Sequence, residues 1–488
     1  MKELKEQSLR AAFIKIFAQG ANLLLRVGSL MVLARLLDPR DFGLVGMATA
    51  ITGGFNVFKD AGLAMVTIQR ATITNEEVST LFWINMLVGF LLGVLSLAIA
   101  PFLVTFYHEP ALFWVTASLA TGFIFTGAGV QHSALLQRDM RFGTLSVVET
   151  LAQLGSTALG IGMALEGYGY WSLVGMTVMN PAVFTACLWF TSAWVPGKPQ
   201  RGAGVGSMLR FGGTAVLNGL VQYTCGNLEK VLLGRFWGAE ALGIYGRASQ
   251  LIAIPSENLN SATGGVLFSA LSRLQHDPAR LKNYFLKSYT LLLSLTLPST
   301  LACAVFADDI VLLVLGPKWI DAAVILQLLI PAIAALALIY PMYWLLYSIG
   351  KAERSLKMAL VIAPLVIMGY VLGLPYGPNG VAFGYSIVMT LWLVPCLAWC
   401  MHGTIISLRD LLPAIGRPFV SAMVAVAVTY MAQSLYGPAV APLPRLILGG
   451  AILTLVYLWI LIWVMGQKEL YLDLLRGFKE DFLTKVTG

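Results

Sequence analysis

Charge is what this sequence has least of. Only 11% of its 488 residues are Asp, Glu, Lys or Arg, against 58% hydrophobic, where a soluble chain carries about 25% charged residues. Most of its surface therefore faces something other than water, and the chain reads as an integral membrane protein. Histidine is equally scarce. His108, His132, His276 and His402 are scattered among separate segments and suggest no site. No phosphate-cradling glycine loop followed by Lys and Ser/Thr occurs, which argues against an ATPase. The cysteines, Cys187, Cys225, Cys303, Cys396 and Cys400, all fall within apolar runs. Cys396 and Cys400 sit one helical turn apart, but no His or carboxylate completes a metal set; they read as small buried hydrophobes. The first apolar segment contains charges and lacks a small-x-small cleavage site, so it is expected to remain as a helix.

What is present is hydrocarbon-spanning length. Runs of roughly 20 apolar residues cross a bilayer, and about fourteen are expected here, making an all-α protein. They fall near 11–37, 41–68, 80–107, 111–136, 143–166 and 168–193, then 208–236, 241–269, 284–307, 319–348, 355–375 and 379–402, with a last pair near 411–436 and 444–466. The expected organisation is an N-terminal lobe over 1–195, a linker over 196–207 carrying Pro196, Gly197 and Pro199, and a C-terminal lobe over 208–403. The added helix pair follows over 404–466. A tail over 467–488 has Leu470, Leu474, Leu475, Phe478 and Phe482 among its charges, as in a helix lying on a membrane surface.

The net charge of +8 is mostly a topology signal. With the N-terminus inside, basic residues divide roughly 22 to 5 between inner and outer segments, the five being Arg35, Arg40, Arg235, Lys318 and Arg445. Such a bias predicts both termini in the cytoplasm and gives no reason to expect a nucleic-acid partner.

One stretch recurs. Leu33-Ala34-Arg35 followed by Phe42-Gly43-Leu44-Val45-Gly46 is echoed, 200 residues on, by Leu233-Gly234-Arg235 and Leu242-Gly243-Ile244-Tyr245-Gly246. Gly167-Tyr168-Gly169-Tyr170-Trp171 is likewise echoed by Tyr376-Gly377-Pro378-Asn379-Gly380. Spans 1–6 and 7–12 thus read as two parallel copies, a transporter signature.

The few charges within spans are expected to face protein or water, since each costs about 2.5–3.5 kcal/mol at the bilayer centre. Span 1 carries Lys15, Gln19, Asn22 and Arg26 at helical spacing on one face, and span 2 carries Thr49, Thr52, Asn56 and Lys59, with Asp60 adjacent. Span 7 carries Asn218, Gln222, Cys225 and Glu229, with Lys230 beside it. Span 8 carries Arg247, Gln250, Glu257, Asn258 and Ser261, and span 5 adds Glu149 and Gln153. The stripes lie on repeat-related helices, which a hydrated cavity explains. Lys59–Asp60 and Glu229–Lys230 also read as structural salt-bridged pairs, and Lys15 as a snorkelling side chain.

The string ARLLDPRDFGLVGMATAI, with DAGLAMVTIQR, STLFWIN, MRFGTLSVVE and GYGYWSLV after it, resembles the polysaccharide-transport branch of the multidrug/oligosaccharidyl-lipid/polysaccharide exporter superfamily, in particular oligosaccharide flippases of the colanic-acid and exopolysaccharide type. The resemblance implies two six-helix lobes in a V around a central cavity, lined by spans 1, 2, 7 and 8. It implies translocation of undecaprenyl-diphosphate-linked oligosaccharide from the inner to the outer leaflet of the bacterial cytoplasmic membrane, by alternating access, for exopolysaccharide, capsule or lipopolysaccharide synthesis. The expected partners are that lipid-linked oligosaccharide, membrane lipids, and a polysaccharide polymerase and glycosyltransferases. The residues expected to bind substrate are Arg26, Lys59, Arg247, Lys15, Lys230, Asn22, Asn56 and Gln222. Asp60, Glu149, Glu229 and Glu257 are candidates for proton or sodium coupling, and no other cofactor is expected.

Three other readings compete. A cation-coupled drug exporter of the same superfamily would favour acidic cavities, yet no carboxylate lies between Ala11 and Leu37. A membrane polymerase or ligase would carry a sizeable outer loop, and the expected outer loops are short. A structural partner of glycosyltransferases would tolerate loss of the cavity charges.

Overall fold

The computed structural model describes residues 20–58, 64, 67–68, 70, 73–199, 223–224, 226–436, 440–469 and 471, apart from the side chains of 255–263, 265–266, 352 and 436. Among the described residues every regular element is helical. Eight helical stretches among the described residues are long and apolar enough to cross a bilayer: Asn75–Tyr107, Ala111–Arg138, Tyr170–Ser192, Pro278–Val305, Asp321–Ser348, Glu353–Met401, Leu408–Leu435 and Pro442–Val464. Phe142–Leu165 and Leu228–Arg273 are helices too, though diluted by small and polar residues. This is a multi-pass membrane protein.

Helix boundaries follow local chemistry. Pro39 opens the Pro39–Thr52 helix, and Asp38 N–H donates to Asp41 Oδ2 at 3.1 Å just before it. Thr74 caps Asn75–Tyr107, its hydroxyl accepting from Glu77 N–H at 3.2 Å while its own N–H donates to Glu77 Oε2 at 2.8 Å. Gly238, at φ +83°, turns the chain within Leu228–Arg273, giving the second copy the corner that Asp38-Pro39 gives the first.

The described chain divides into two compact units, one of residues 1–246 with 314–318, the other of 247–313 with 319–488. In the first, Asn75–Tyr107 packs on Ala111–Arg138, and Phe142–Leu165 on Tyr170–Ser192. Its connections gather at two ends. At one end, Lys318 Nζ reaches Asp38 at 2.7 Å and Arg40 reaches Glu109 at 3.1 Å. At the other, Arg138 Nη1 donates to the carbonyls of Thr67 and Arg70 at 2.7 and 2.6 Å, and Arg70 pairs with Glu77 at 2.8 Å. There too the segment after Ser192 is strapped down. Gly197 N–H donates to Ser79 Oγ, and Trp83 Nε1 donates to Gly197 O, both at 2.9 Å. Beneath it the buried His132 ring lies against Trp189 and Trp194, with Nδ1 2.7 Å from Ser192 Oγ.

In the second unit Pro278–Val305 is the spine. Tyr289 in it donates to Leu338 O at 2.8 Å, and its Ser294 carbonyl accepts from Tyr457 at 2.9 Å. Phe306, Ala422, Ala425, Leu453 and Tyr457 form the cluster that joins the last two helices to this spine. Gly373 and Gly380 let Ala352–Gly373 cross Gly377–Met401 at backbone contact: a Cβ on Gly373 would lie 2.1 Å from Gly380 O. Cys396 and Cys400 are fully buried, Cys396 Sγ 3.9 Å from the Tyr343 hydroxyl and Cys400 Sγ 3.8 Å from Met358 Sδ. They pack as the small hydrophobes the sequence suggests.

Candidate functional site

In the first unit the two copies of the recurrent turn meet. A Cβ on Gly43 would lie 1.6 Å from Ala239 O, and a Cβ on Gly243 would lie 1.9 Å from Pro39 O. Since Pro39 corresponds to Ala239 and Gly43 to Gly243, each turn makes the same contact with the other. Main chain rests on main chain because neither glycine has a side chain to hold them apart.

Beyond this crossing, Tyr223 locks the same pair of segments. Its hydroxyl donates to Thr49 O at 2.8 Å and lies 3.2 Å from Ala50 O. A Cβ on Gly53 would come within 2.3 Å of that hydroxyl, so the Gly53-Gly54 pair exists to admit the tyrosine. Next to it opens a cavity of about 610 Å³, whose walls include Phe55, Phe58, Leu92, Leu95, Tyr223 and Asn227. The walls are mostly apolar and suit hydrocarbon. At the margin, Lys230 Nζ donates to Asn227 Oδ1 at 2.8 Å, and Asn227 Nδ2 donates to Tyr223 O at 3.0 Å. A cation is thereby held beside an apolar chamber. Tyr223→Phe is expected to weaken this joint by about 1 kcal/mol and to lower export several-fold without loss of membrane insertion; the complementation assay described below checks it.

Several sequence expectations are revised here. The span 2 stripe does not continue as one face. Thr49 and Thr52 turn their hydroxyls back to Val45 O and Ala48 O, each at 2.8 Å, and Thr52 is buried. From Gly53 to Val57 the helix tightens to 3₁₀, which changes the angle per residue and leaves Asn56 exposed. Glu229 and Lys230 form no salt bridge, since neighbours on a helix do not face each other. Glu229 is 7% exposed, with Oε2 lacking a hydrogen-bond partner among the described residues. Gln153 serves helix packing: its carboxamide reaches Thr157 at 3.2 Å and Asn180 at 3.5 Å.

The other expected site residues are placed as follows. Arg26 is exposed on the 20–36 helix, one turn from Asn22, whose Oδ1 is buried without a partner among the described residues. Glu149 is exposed on Phe142–Leu165. Arg247 and Gln250 are half-buried at the start of the second unit. Lys15, Lys59, Asp60 and Gln222 lie outside the described residues, as does the tail carrying Leu470, Leu474, Leu475, Phe478 and Phe482; so does the side chain of Glu257. Tyr223 was not singled out by sequence. Its signal was indirect, a glycine pair inside a spanning helix that something large had to cover.

Comparison with known proteins completes the picture. The chain is 26% identical over 398 residues to the lipopolysaccharide biosynthesis protein WzxC of Escherichia coli K12, covering 80% of each. It is 28% identical over 301 residues to the teichuronic acid biosynthesis protein TuaB of Bacillus subtilis 168, covering 61% of this chain and 62% of the relative. In structure it is similar to the lipid II flippase MurJ in an inward closed conformation, with a TM-score of 0.73 at 13% identity, over 96% of this chain and 100% of that one. Residues 32–324 match the family described as polysaccharide biosynthesis protein. The chain belongs to that polysaccharide biosynthesis family.

Proposed function

We propose that this protein is a flippase that carries polyprenyl-diphosphate-linked oligosaccharide from the inner to the outer leaflet of a bacterial cytoplasmic membrane, for assembly of a surface polysaccharide. The observation that carries the reading is the pairing of an apolar chamber of about 610 Å³ with a cation, Lys230, held at its margin. A lipid-linked sugar needs both. Its tail stays in hydrocarbon, while diphosphate charges, far too costly there alone, need replacement hydrogen bonds and positive charge. The names of the relatives support it: lipopolysaccharide and teichuronic acid biosynthesis, and a succinoglycan biosynthesis transport protein of Rhizobium meliloti.

In this reading both termini are cytoplasmic, fourteen helices form two six-helix lobes with an added pair, and no chemical step is catalysed. Arg26, Lys59, Arg247, Lys15 and Lys230 attract the diphosphate, and Asn22, Asn56 and Gln222 bond the sugar. With the inside negative, each unneutralised anionic charge gains about 2.3 kcal/mol per 100 mV on moving outward. Asp60, Glu149, Glu229 or Glu257 would serve if a proton or sodium ion is coupled. The partners supplying and consuming the substrate are glycosyltransferases and a polymerase.

The test is deletion of the gene and complementation, with accumulation of the lipid-linked repeat unit as the readout. Arg26→Ala and Lys59→Ala should each reduce export at least about tenfold, the effect of losing roughly 1.4 kcal/mol of binding, while still inserting. If both export normally at native expression, the cations do not carry the substrate. If deletion changes drug susceptibility and not repeat-unit export, the drug-exporter reading replaces this one.

A further inference from the structure

A second recess, used by nothing above, lies in the second unit on the side proposed as cytoplasmic. There Pro278–Val305 and Leu408–Tyr436 converge with the end of the last span, just past the π-helical turn Ile460–Val464. The recess measures about 260 Å³ and is lined by Lys287, Thr290, Asp410, Arg417, Gly466 and Gln467, among others.

Its polar groups are unevenly matched. Asp410 is occupied, holding Lys282 at 2.6 Å and accepting from the Ser407 hydroxyl and N–H at 2.6 and 2.9 Å. Thr290 is occupied too, donating to Leu286 O at 2.9 Å. Lys287 and Arg417 have no ion pair among the described residues. Gln467 is only 6% exposed, and its Oε1 has no hydrogen-bond partner there. Two cations with no ion-pair partner among the described residues, on one recess, are what an oxyanion requires.

Depth and size narrow the ligand. Lys468, next to the lining residue Gln467, sits over the Trp463 ring at 5.4 Å, and Trp and Lys at a span end mark the headgroup level of a bilayer. The volume falls just below the roughly 300 Å³ at which drug-sized pockets begin. A phosphate and its first ester atoms fit; a sugar chain does not.

We propose that this recess binds the phosphate of an anionic lipid headgroup, through Lys287 and Arg417. Bound there, the lipid ties the last two helices to the Pro278–Val305 spine. The phosphate can come from a phospholipid of the bilayer or from a polyprenyl diphosphate, and neither source depends on the protein being a flippase.

The experiment is native mass spectrometry of the purified full-length protein, titrated separately with phosphatidylglycerol, undecaprenyl diphosphate and inorganic phosphate. Lys287→Gln/Arg417→Gln should weaken phosphatidylglycerol binding at least about tenfold, since each basic residue near a membrane surface contributes roughly 1 kcal/mol. Arg273→Gln/Arg280→Gln, which removes two exposed cations outside the recess, should leave it unchanged. Both double variants change only exposed side chains and should melt as the wild type does, which guards against misfolding. The same dependence seen for undecaprenyl diphosphate alone assigns the site to that lipid. Equal binding by all variants, equal loss in both double variants, or binding of inorganic phosphate without either lipid overturns the proposal.

Discussion

Gly43→Ala and Gly243→Ala are each expected to abolish export, while Gly46→Ala and Gly246→Ala leave it intact. All four glycines belong to the recurrent motif, but their surroundings differ. A methyl group on Gly43 or Gly243 would sit within 2 Å of a carbonyl oxygen on the facing turn. Ordinary contact begins near 3.4 Å, so the two segments would have to part by more than an ångström. Backbone cannot rotate out of the way as a side chain does, so the cost should reach the upper part of the 1–3 kcal/mol typical of overpacking, about 3 kcal/mol. At Gly46 the nearest atom is Leu242 Cδ2 at 3.5 Å, and at Gly246 nothing lies within 4 Å. Repeat-unit accumulation, together with the amount of monodisperse protein extracted from membranes, separates the outcomes. Wild-type export by Gly43→Ala would show that the close crossing is dispensable.

Arg445→Met is expected to lower stability by about 3–5 kcal/mol, because it strands a buried carboxylate. Arg445 Nε donates to both oxygens of Asp309, at 3.0 and 2.9 Å, and Nη2 adds a further bond to Oδ1. Asp309 is only 4% exposed. This pair fixes the start of Pro442–Trp459 to the segment that follows Pro278–Val305, at the opposite end of the helix from Lys282–Asp410. The double change Asp309→Leu/Arg445→Met removes both charges and should recover most of the loss. Thermal unfolding of the purified protein measures both. If the single and double variants melt alike, the pair is not what holds this joint.

Sequence made the membrane class, the all-helical fold and many of the helix starts legible, because each rests on a one-dimensional signal. Apolar length marks spans, and Pro and capping residues mark starts such as Pro39 and Thr74. The recurrence of Gly43 at Gly243 was equally plain, but its meaning was not: only the fold brings Pro39 O to Gly243. The polar stripes were less faithful. Extrapolating a 3.6-residue period through Gly53 fails once the helix tightens, and a threonine satisfied by its own helix looks, in sequence, like one offered to a ligand. Gln153 was misjudged for the same reason, its partner Asn180 being 27 residues away. Tyr223, the residue that joins the two turn segments, reads in sequence as one more apolar aromatic.

The crossing at Gly43 has the symmetry of a dimer interface. When residue i of one segment touches j of another, and the counterpart of j touches the counterpart of i, the contact is isologous, the kind made by the two subunits of a C2 dimer. Gly43 against Ala239 and Gly243 against Pro39 meet that condition within a single polypeptide. The turn therefore carries, within one chain, the kind of contact that a C2 dimer of half-length chains would make. The two copies differ at the corner itself, Asp38-Pro39 in one and Gly238-Ala239 in the other, yet both carry the glycine, and a side chain at either position would strike the same joint.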